Sequence, residues 1–260
     1  MKHLTNLVRK SNILSSQWRQ MSSSVDKEEI KRFSDLAEHW RDEEGPFKAL
    51  HSLNKLRIPW ILKNHSNRDG TLLDVGCGGG ILSVPLARCG YNVTGIDAAE
   101  DGVVAAKRYM SYPSIQNSGL ASRLKYNCTT IEEFARSNEK GFDVVVASEI
   151  LEHVADIDSF VESCARATKT GGSLFFTTIN RTLMSKVAAI WLAEDILRVV
   201  PQGVHEWEKF VKPSELTDCL DRYGCRVKSV GGFTYNLLKN EWDWTANSLV
   251  NYALVAEKIE

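Results

Sequence analysis

Several features that would assign a chain to a familiar class are missing from this sequence of 260 residues. Its 32 basic and 33 acidic side chains leave a net charge of -1, so no excess of positive charge indicates a nucleic-acid partner. The six cysteines include no Cys-x-x-Cys pair, which argues against a zinc knuckle or a thiol redox motif. Their scatter along the chain is typical of a protein from a reducing compartment.

Acidic residues are absent from the first 25 positions, which carry Lys2, Arg9, Lys10 and Arg19. Serine is frequent in the same stretch, and no apolar core typical of a secretory signal is present. A basic, serine-rich leader without acids is typical of a mitochondrial transit peptide. We therefore predict that residues 1–25 are a removable transit peptide. The alternative is a disordered tail whose charge bias arose by chance.

A glycine-rich turn follows the first buried strand that the sequence predicts. Residues 71–75 form a short apolar run with one carboxylate, which is typical of a strand in a parallel sheet. Four glycines follow within residues 76–80, and helical periodicity begins at residue 81. Glycine permits positive φ and lets a ligand lie close to the backbone. Such a turn between strand and helix is where open α/β sheets bind nucleotides.

The glycine spacing departs from the dinucleotide fingerprint G-x-G-x-x-G, because no glycine occupies the sixth position in either register. The pattern is Asp74-x-Gly76-x-Gly78-x-Gly80, which resembles motif I of class I S-adenosylmethionine (AdoMet) methyltransferases. The loop carboxylate suits the cationic amino group of AdoMet. A second acid, Asp97, ends the next predicted strand, where it can accept both ribose hydroxyls. A simple tight turn is the alternative.

Strand and helix patterns alternate from residue 71 onward, which implies a parallel sheet with helices on both faces. We predict an α/β, Rossmann-like methyltransferase fold with a seven-stranded, mostly parallel sheet over residues 71–260. Helical periodicity within residues 26–70 predicts an N-terminal cap over the sheet edge. Residues 129–132 follow the third strand, where they can line the binding site of an adenine ring. Strands are predicted at residues 71–75, 92–97, 124–128, 142–147, 173–178, 226–230 and 252–256, and helices at 81–89, 100–109, 131–134 and 157–167.

Acids and a histidine cluster after the fourth predicted strand, at the sheet edge where such folds place their sites. On a helical turn, positions i, i+3 and i+4 share a face, so Glu149, Glu152 and His153 can converge. One interpretation is a divalent cation such as Mg²⁺ held by two carboxylates and an imidazole. Another is that His153 is a general base held by a glutamate. A third is a polar helix start, where acids are favoured.

A phenolic acceptor would explain either functional interpretation. A phenol has a pKa near ~10, so its ionisation at pH 7 costs roughly 4 kcal/mol. A metal that binds the oxygen, or a base that removes its proton, reduces that cost.

In the helical segment before the first strand, Arg57 can pair with the carboxylate of AdoMet. The alternative for Arg57 is an ordinary solvated arginine on a helix.

Together these motifs resemble those of the ubiquinone biosynthesis O-methyltransferases. The resemblance covers residues from about 30 to 256. Its most specific parts are Gly-Pro-Phe-Lys-Ala-Leu-His at residues 45–51 and Ile-Leu-Arg-Val-Val-Pro at residues 196–201, with Gly203 and His205 following. It implies AdoMet-dependent methylation of polyprenylated dihydroxybenzoate (catechol) and demethylubiquinol intermediates. The leader indicates the mitochondrial branch.

The resemblance also implies roles for individual residues and partners. It places AdoMet contacts at Arg57, Gly76, Asp97 and Ser148. In the mitochondrial branch it implies a divalent cation, Mg²⁺, at Glu149, Glu152 and His153. Association with other ubiquinone-biosynthesis proteins is expected. Two alternatives remain at this point: an O-methyltransferase for another small phenol, and a non-catalytic subunit that holds a biosynthetic complex together.

The most apolar long segment, residues 183–200, predicts a contact with the membrane that holds a polyprenylated substrate. It is too interrupted by charges to span a membrane. On a helical wheel, its charges occupy one half and its apolar side chains the other, as in a helix that lies in the membrane interface. Lys209 and Lys212 can contact anionic lipid. We predict that residues 183–200 attach the protein peripherally to the matrix face of the inner mitochondrial membrane, within a membrane and substrate-access insertion at residues 183–212. An ordinary core helix is the alternative.

Overall fold

A computed structural model describes residues 39–185 and 207–260 of the chain. The predictions for the leader, for residues 26–38 of the cap and for most of the segment 183–200 therefore lie outside the described residues. The motif at residues 196–205 also lies outside them, because the second described range begins at residue 207. Within the two described ranges, no helix has both the length and the apolar character needed to cross a membrane.

The described chain contains eight strands that form one sheet. Their bounds are β1 (Thr71–Val75), β2 (Asn92–Asp97), β3 (Leu124–Cys128), β4 (Phe142–Ser148), β5 (Thr168–Ile179), β6 (Cys225–Asn236), β7 (Glu241–Thr245) and β8 (Asn251–Lys258). The order in the sheet is β3-β2-β1-β4-β5-β8-β6-β7. The first five strands are parallel to one another, whereas β8 is antiparallel to both β5 and β6, and β7 is antiparallel to β6.

The Rossmann-like, mostly parallel sheet with helices on both faces is confirmed, but it has one strand more than the seven predicted. The additional strand is β7, whose sequence Glu-Trp-Asp-Trp-Thr mixes aromatic residues with acids. Acidic residues are depleted in strands, so local propensity does not identify this segment. Aromatic packing stabilises it instead, because Trp242 and Trp244 both contact the ring of Phe233 on β6.

Helices cover both faces of the sheet, and their bounds are α1 (Lys48–Asn64), α2 (Ser83–Arg88), α3 (Glu100–Met110), α4 (Pro113–Gln116), α5 (Ile131–Ser137), α6 (Ile157–Ala167) and α7 (Pro213–Arg222). Alternate strand residues point to opposite faces. Leu73 of β1 packs in the core with α5, α6 and α7, whereas Leu72 packs in the core with α2 and α3. The α2 helix begins two residues later than predicted, because residues 81 and 82 still belong to the glycine turn.

The described part of the predicted cap packs on the antiparallel half of the sheet. Leu53 and Leu56 of α1 are buried against Phe233 and Ala253 of the antiparallel strands. On the same helix, Trp60 meets the ring of Phe175 on β5 edge-on, with 5.1 Å between ring centroids. The helix also contacts the edge strand, because the ring centroids of Trp60 and Trp244 of β7 lie 6.0 Å apart. The cap over the sheet edge stays a prediction.

Candidate active site

A cavity opens at the carboxyl ends of β1, β2 and β4, beside the residues that follow β3. This is the edge at which open α/β sheets bind ligands. Apart from Glu152, all the side chains and glycines predicted for the site line it: Arg57, Asp74, Gly76, Gly78, Asp97, Ser148, Glu149 and His153. The sheet topology thus brings together residues that are almost 100 positions apart in the sequence.

The glycine turn at the end of β1 has a backbone that other residues would not adopt without strain. Gly76 has φ of 74° and Gly78 has φ of 48°. A Cβ atom on Gly76 would lie 2.1 Å from Cδ1 of Ile150, and one on Gly78 would lie 2.4 Å from the ring of Trp40. The amide of Gly76 donates to the Ile96 carbonyl over 2.9 Å, which fixes the turn against β2. The turn therefore requires glycine for both conformation and space.

Asp97 at the end of β2 is held by the backbone on both sides. Its Oδ2 accepts the Gly78 amide at 2.8 Å, and its Oδ1 accepts the Ala99 amide at 2.8 Å. Burial raises the pKa of Asp97, although these amide hydrogen bonds oppose the shift. A carboxylate has about four acceptor positions, so both oxygens retain capacity for a ligand's hydroxyl groups. The geometry suits the predicted ribose contact.

Asp74 lies within β1, behind the glycine turn, and is almost completely buried. Its Oδ2 accepts the hydroxyl of Ser83 at 2.5 Å. Burial raises the pKa of Asp74 to about 6, against the opposing effects of the Ser83 hydrogen bond and the Arg57 charge. The group is therefore mainly ionised at neutral pH but incompletely compensated, which suits it to a cationic amino group of a ligand.

Arg57 connects α1 to the end of β4. Its Nη1 donates to the Ser148 hydroxyl over 2.7 Å, and its Nε donates to Oδ1 of Asn54 over 2.8 Å. The side chain is buried, so the alternative of a solvated helix arginine is wrong. Burial lowers the pKa of Arg57 to about 10, which leaves the guanidinium charged at neutral pH. Ser148 also bonds the Thr177 hydroxyl at 2.6 Å, so three elements meet at this point.

Glu149 directly follows β4 in a left-handed backbone conformation, with φ of 54°. Non-glycine residues in this region cost of order 1 kcal/mol or more and concentrate at functional sites. The Oε1 atom of Glu149 is buried without a hydrogen-bond partner. Burial raises the pKa of Glu149, and the neighbouring Glu152 carboxylate raises it further. Glu149 therefore lines the cavity, and one of its carboxyl oxygens has no hydrogen-bond partner among the described residues.

Glu152 departs from the sequence prediction. It lies in the short 3₁₀ turn Leu151–His153 and is buried behind the cavity, where its Oε2 accepts the Thr178 hydroxyl at 2.6 Å. The predicted common helical face with Glu149 and His153 does not form, because the left-handed Glu149 precedes the turn. Among residues 39–185 and 207–260, no group of three or more His, Cys, Asp or Glu side chains is arranged to hold a metal ion. The residues thus do not fit the predicted three-ligand Mg²⁺ site.

Trp40 is a site residue that the sequence did not reveal. Its ring covers Gly78 and Gly79, lines the cavity and stacks on Phe47, with centroids 4.0 Å apart and planes at 3°. The adjacent Arg41 donates from Nη2 to the Gly79 carbonyl over 2.6 Å. In the sequence, Trp40 continues a helical apolar pattern. No spacing signal connects it with a glycine turn almost 40 residues later, so only the tertiary structure identifies it.

Comparisons with known proteins agree with this geometry. A family profile described as "Methyltransferase domain" matches residues 38–230. The mitochondrial ubiquinone biosynthesis O-methyltransferase of Rattus norvegicus is 41% identical over 252 residues, which covers 92% of this chain and 72% of the relative. The ubiquinone biosynthesis O-methyltransferase of Hydrogenovibrio crunogenus is 40% identical, with 90% of this chain and 95% of the relative covered.

Solved structures share the fold at low sequence identity. A SAM-dependent methyltransferase from Methanosarcina mazei has a TM-score of 0.59 and 19% identity, covering 76% of this chain and 97% of that chain. The magnesium protoporphyrin IX methyltransferase of Synechocystis, solved with bound SAH, has a TM-score of 0.56 and 19% identity, covering 81% of this chain and 83% of that chain. At this identity, the likeness supports the fold alone.

Proposed function

The chain belongs to the ubiquinone biosynthesis O-methyltransferases, and from that premise we propose that it methylates polyprenylated catechol and demethylubiquinol intermediates with AdoMet. One observation carries the proposal. The cavity joins a glycine turn and Asp97 to a second group of polar side chains, Ser148, Glu149 and His153, at the end of β4. The first group suits the cofactor, and the second suits a phenolic acceptor.

The cofactor half of the site follows from charge and hydrogen bonding. The oxygens of Asp97 accept the ribose hydroxyls, while the turn at Gly76 and Gly78 lets the cofactor lie against the backbone. Asp74 attracts the ammonium group of the methionine moiety, and Arg57 attracts its carboxylate. These contacts fix the methyl group relative to the acceptor, and such positioning accounts for much of the rate of a bimolecular reaction.

The acceptor half supplies a base for an in-line displacement. His153 takes the phenolic proton as the acceptor oxygen attacks the methyl carbon. The sulfur–methyl bond breaks and neutral S-adenosylhomocysteine leaves, so no covalent enzyme intermediate is required. Glu149, with a buried and unpartnered oxygen beside this point, orients the base or the acceptor hydroxyl. The residues Glu149 and His153 thus act on the proton, and the cofactor residues act on the methyl donor.

The Mg²⁺ ion expected at Glu149, Glu152 and His153 is not supported, because these side chains do not form a three-ligand site among the described residues. No step above depends on a metal. Dialysis against a chelator, followed by assays with and without added Mg²⁺, tests the expectation. Loss of activity that Mg²⁺ restores supports a metal, whereas full activity after chelation leaves His153 as the base without one.

The place of action is proposed from the substrate and the leader. A polyprenylated substrate resides in a bilayer, and relatives from mitochondria carry the same enzyme name as relatives from bacteria. We propose that the protein lies on the matrix face of the inner mitochondrial membrane, attached peripherally through residues 183–200 and associated with other ubiquinone-biosynthesis proteins. Liposome flotation of wild type against Leu192→Glu/Ile196→Glu tests the attachment. Equal flotation by a double variant that remains folded and still binds AdoMet would contradict it.

An assay with a soluble, short-tailed dihydroxybenzoate tests the activity directly. We expect mono-O-methylated product and an equal amount of S-adenosylhomocysteine, both measured by mass spectrometry. A tail-less catechol is the matched control, and a preference for it would favour a methyltransferase for another small phenol. Calorimetric binding of AdoMet without turnover of either acceptor would favour the non-catalytic subunit.

A further inference from the structure

The turn between β6 and β7 presents two adjacent leucines to solvent. Leu238 is 97% exposed, the highest value among the large apolar side chains that the structure describes, and Leu237 is exposed as well. A single exposed leucine needs no explanation. This pair, however, occupies the tip of a hairpin, where glycine and polar residues are usual. The tip is therefore a feature that the fold alone does not account for.

The geometry of the turn does not require leucine. Asn240 has φ of 50°, and its Oδ1 accepts the Tyr235 hydroxyl at 2.8 Å. The Lys239 amide donates to both the carbonyl and Oδ1 of Asn236, over 3.3 Å each. Asparagine tolerates the left-handed conformation and bonds to nearby backbone, so these residues suffice to close the turn. The contacts come from residues on either side of the leucines, whose apolar side chains need another explanation.

The hairpin projects beyond the rest of the sheet at the edge where the cavity opens. The pairing of β6 with β8 ends at Phe233 and Asn251, and Asn251 also pairs with Ile179, the last residue of β5. The pairing of β6 with β7 continues to Asn236 and Glu241. At about 3.3 Å per residue, this extension carries the tip roughly 10 Å past the level at which β8 begins. The leucines thus lie beyond the carboxyl edge of the sheet.

Aromatic side chains support the projecting hairpin. A two-stranded hairpin is only marginally stable by itself. Here the rings of Tyr235 and Trp242 lie 4.7 Å apart across the two strands, and Nε1 of Trp242 donates to the Ala49 carbonyl over 2.9 Å. The half-exposed ring of Trp244 contacts Trp60 of α1. Tryptophan and tyrosine behind an apolar tip are typical of proteins that meet the interface of a bilayer.

Neighbouring loops add exposed apolar side chains at the same edge. Leu183 and Met184 follow β5, and Leu249 precedes β8; all three are exposed. The Thr182 hydroxyl donates to the Leu249 carbonyl, which joins these two loops. Residues 183 and 184 also begin the segment 183–200, for which a membrane contact is proposed above. The hairpin tip therefore extends that surface from a separate part of the chain.

We propose that the tip of the β6–β7 hairpin inserts Leu237 and Leu238 into a lipid surface, with Lys239 at the level of the phosphate groups. Shape favours this partner, because a projecting pair of leucines can enter a deformable apolar layer without a matching pocket. Charge agrees, since Lys239 is the one charged residue between Asn236 and Asn240 and is attracted to anionic lipid. The inference rests on the proposed function, in which a bilayer-resident substrate brings the enzyme to a membrane.

Cosedimentation of the full chain with phosphatidylcholine vesicles tests the insertion. Leu238→Ser should weaken binding roughly 10-fold, because the transfer of a leucine side chain out of water is lost. Ile259→Ser is the matched control and should bind as wild type does, since this exposed residue follows β8 at the opposite edge of the sheet. Leu238→Trp should retain binding, because indole partitions into the interface.

A second arm of the experiment separates apolar insertion from electrostatic attraction. Added phosphatidylglycerol should strengthen binding of the wild-type protein. Lys239→Gln should reduce that gain by about fivefold, as expected for one lysine near an anionic surface, and should leave binding to pure phosphatidylcholine unchanged.

Equal vesicle binding by Leu238→Ser and Ile259→Ser, both folded by circular dichroism, overturns the insertion, and so does a wild-type protein that does not bind vesicles. Leu237→Ser gives the same decision if Leu238→Ser does not fold. If the tip instead contacts a second copy of the chain, Leu238→Ser will dissociate an oligomer in analytical ultracentrifugation without changing vesicle binding, which also overturns the insertion.

Turnover separates this inference from the proposed function. Leu238→Ser should methylate the soluble, short-tailed dihydroxybenzoate at the wild-type rate and lose activity only toward a long-tailed substrate held in vesicles. Equal activity of Leu238→Ser and wild type toward the vesicle-held substrate counts against the insertion. A wild-type protein that binds vesicles through Leu238 but turns over neither substrate overturns the proposed function and leaves the insertion in place.

Discussion

The chain pairs Asp143, at the amino ends of the strands, more completely than it pairs two acids beside the cavity at the carboxyl ends. At the amino ends, Asp143 of β4 is completely satisfied: Lys169 Nζ lies 2.8 Å from Oδ1, and the amide and hydroxyl of Thr71 each donate to Oδ2 over 2.8 Å. At the carboxyl ends, Glu132 and Glu149 keep buried oxygens without partners. A paired acid joins strands to each other. An unpaired one lowers stability and is retained where its partner comes from outside the chain.

The largest expected effect that would test this contrast is on turnover. His153→Ala should lower kcat by roughly 10²- to 10⁴-fold, because it removes the proposed base. Glu149→Ala should lower kcat in the same direction. Steady-state assays and calorimetry are to be compared for each variant, and AdoMet affinity should change far less than kcat. A loss of affinity equal to the loss of kcat would assign these residues to the cofactor instead.

Cofactor affinity is the next largest expected effect. Asp97→Ala should weaken AdoMet binding by about 100-fold or more, since hydrogen bonds to a charged group contribute about 1.5–3 kcal/mol each. Asp143→Ala, at the other end of the sheet, is the matched control and should leave the affinity unchanged. Calorimetric titration measures both. An unchanged affinity in Asp97→Ala would remove the ribose assignment.

Stability should change in opposite directions at the two ends, beginning with Asp74. The folded-state pKa of Asp74 is raised to about 6 from 3.8, chiefly by burial, so folding favours its protonated form. Its contribution to stability is complete below pH 4 and is lost as pH rises through about 6. Asp74→Asn should therefore stabilise the ligand-free protein at pH 7 by about 2 kcal/mol, while AdoMet binds more weakly. Thermal unfolding with and without AdoMet measures both effects; a lower Tm for the ligand-free variant would refute the argument.

Asp143 should show the smallest effect, with the opposite sign. Burial opposes its ionisation, but the hydrogen bonds from Lys169 and Thr71 prevail and lower the pKa of Asp143 to about 2. A lowered carboxyl pKa stabilises the fold above about pH 4, and this stability is lost as pH falls through about 2. Asp143→Asn should cost about 1 kcal/mol at pH 7, because the ion pair is partly exposed and screened. If Asp143→Asn had the same free energy of unfolding at pH 7 and the same acid unfolding midpoint as wild type, the stabilising pairing of Asp143 would be contradicted.

The bounds of strands and helices that depend on local patterns could be predicted from the sequence. The bounds of β1, β2 and α6 coincide with the prediction, since apolar runs, glycine turns and helical periodicity are local signals. The convergence of the glycine turn and Asp97 on one cavity was also predictable, because both follow consecutive strands of the sheet. Trp40 also lines the cavity, but its place there could not be predicted. It is distant in sequence from the glycine turn, and no local pattern indicates which surface a helix or turn will cover.

The orientation of Glu152 was unpredictable for a different reason. Helical spacing placed Glu149, Glu152 and His153 on one face, but that argument assumes helical backbone from the first residue. Glu149 has φ of 54° instead, and the 3₁₀ turn begins only at Leu151. Glu149 and His153 still line the cavity together, but Glu152 does not join them there. The left-handed conformation of Glu149 is set by the surrounding tertiary contacts.

The position of β8 also constrains how the protein can be made. β8 lies between β5 and β6, so it joins the hairpin of β6 and β7 to the rest of the sheet. While residues 251–258 are still inside the ribosome, the hairpin has no strand on its inner side and the edge of β5 is open. Open edges of this kind invite pairing with other chains. A newly synthesised chain therefore exposes open strand edges until residues 251–258 emerge, and a truncation that removes these residues removes an interior strand of the sheet.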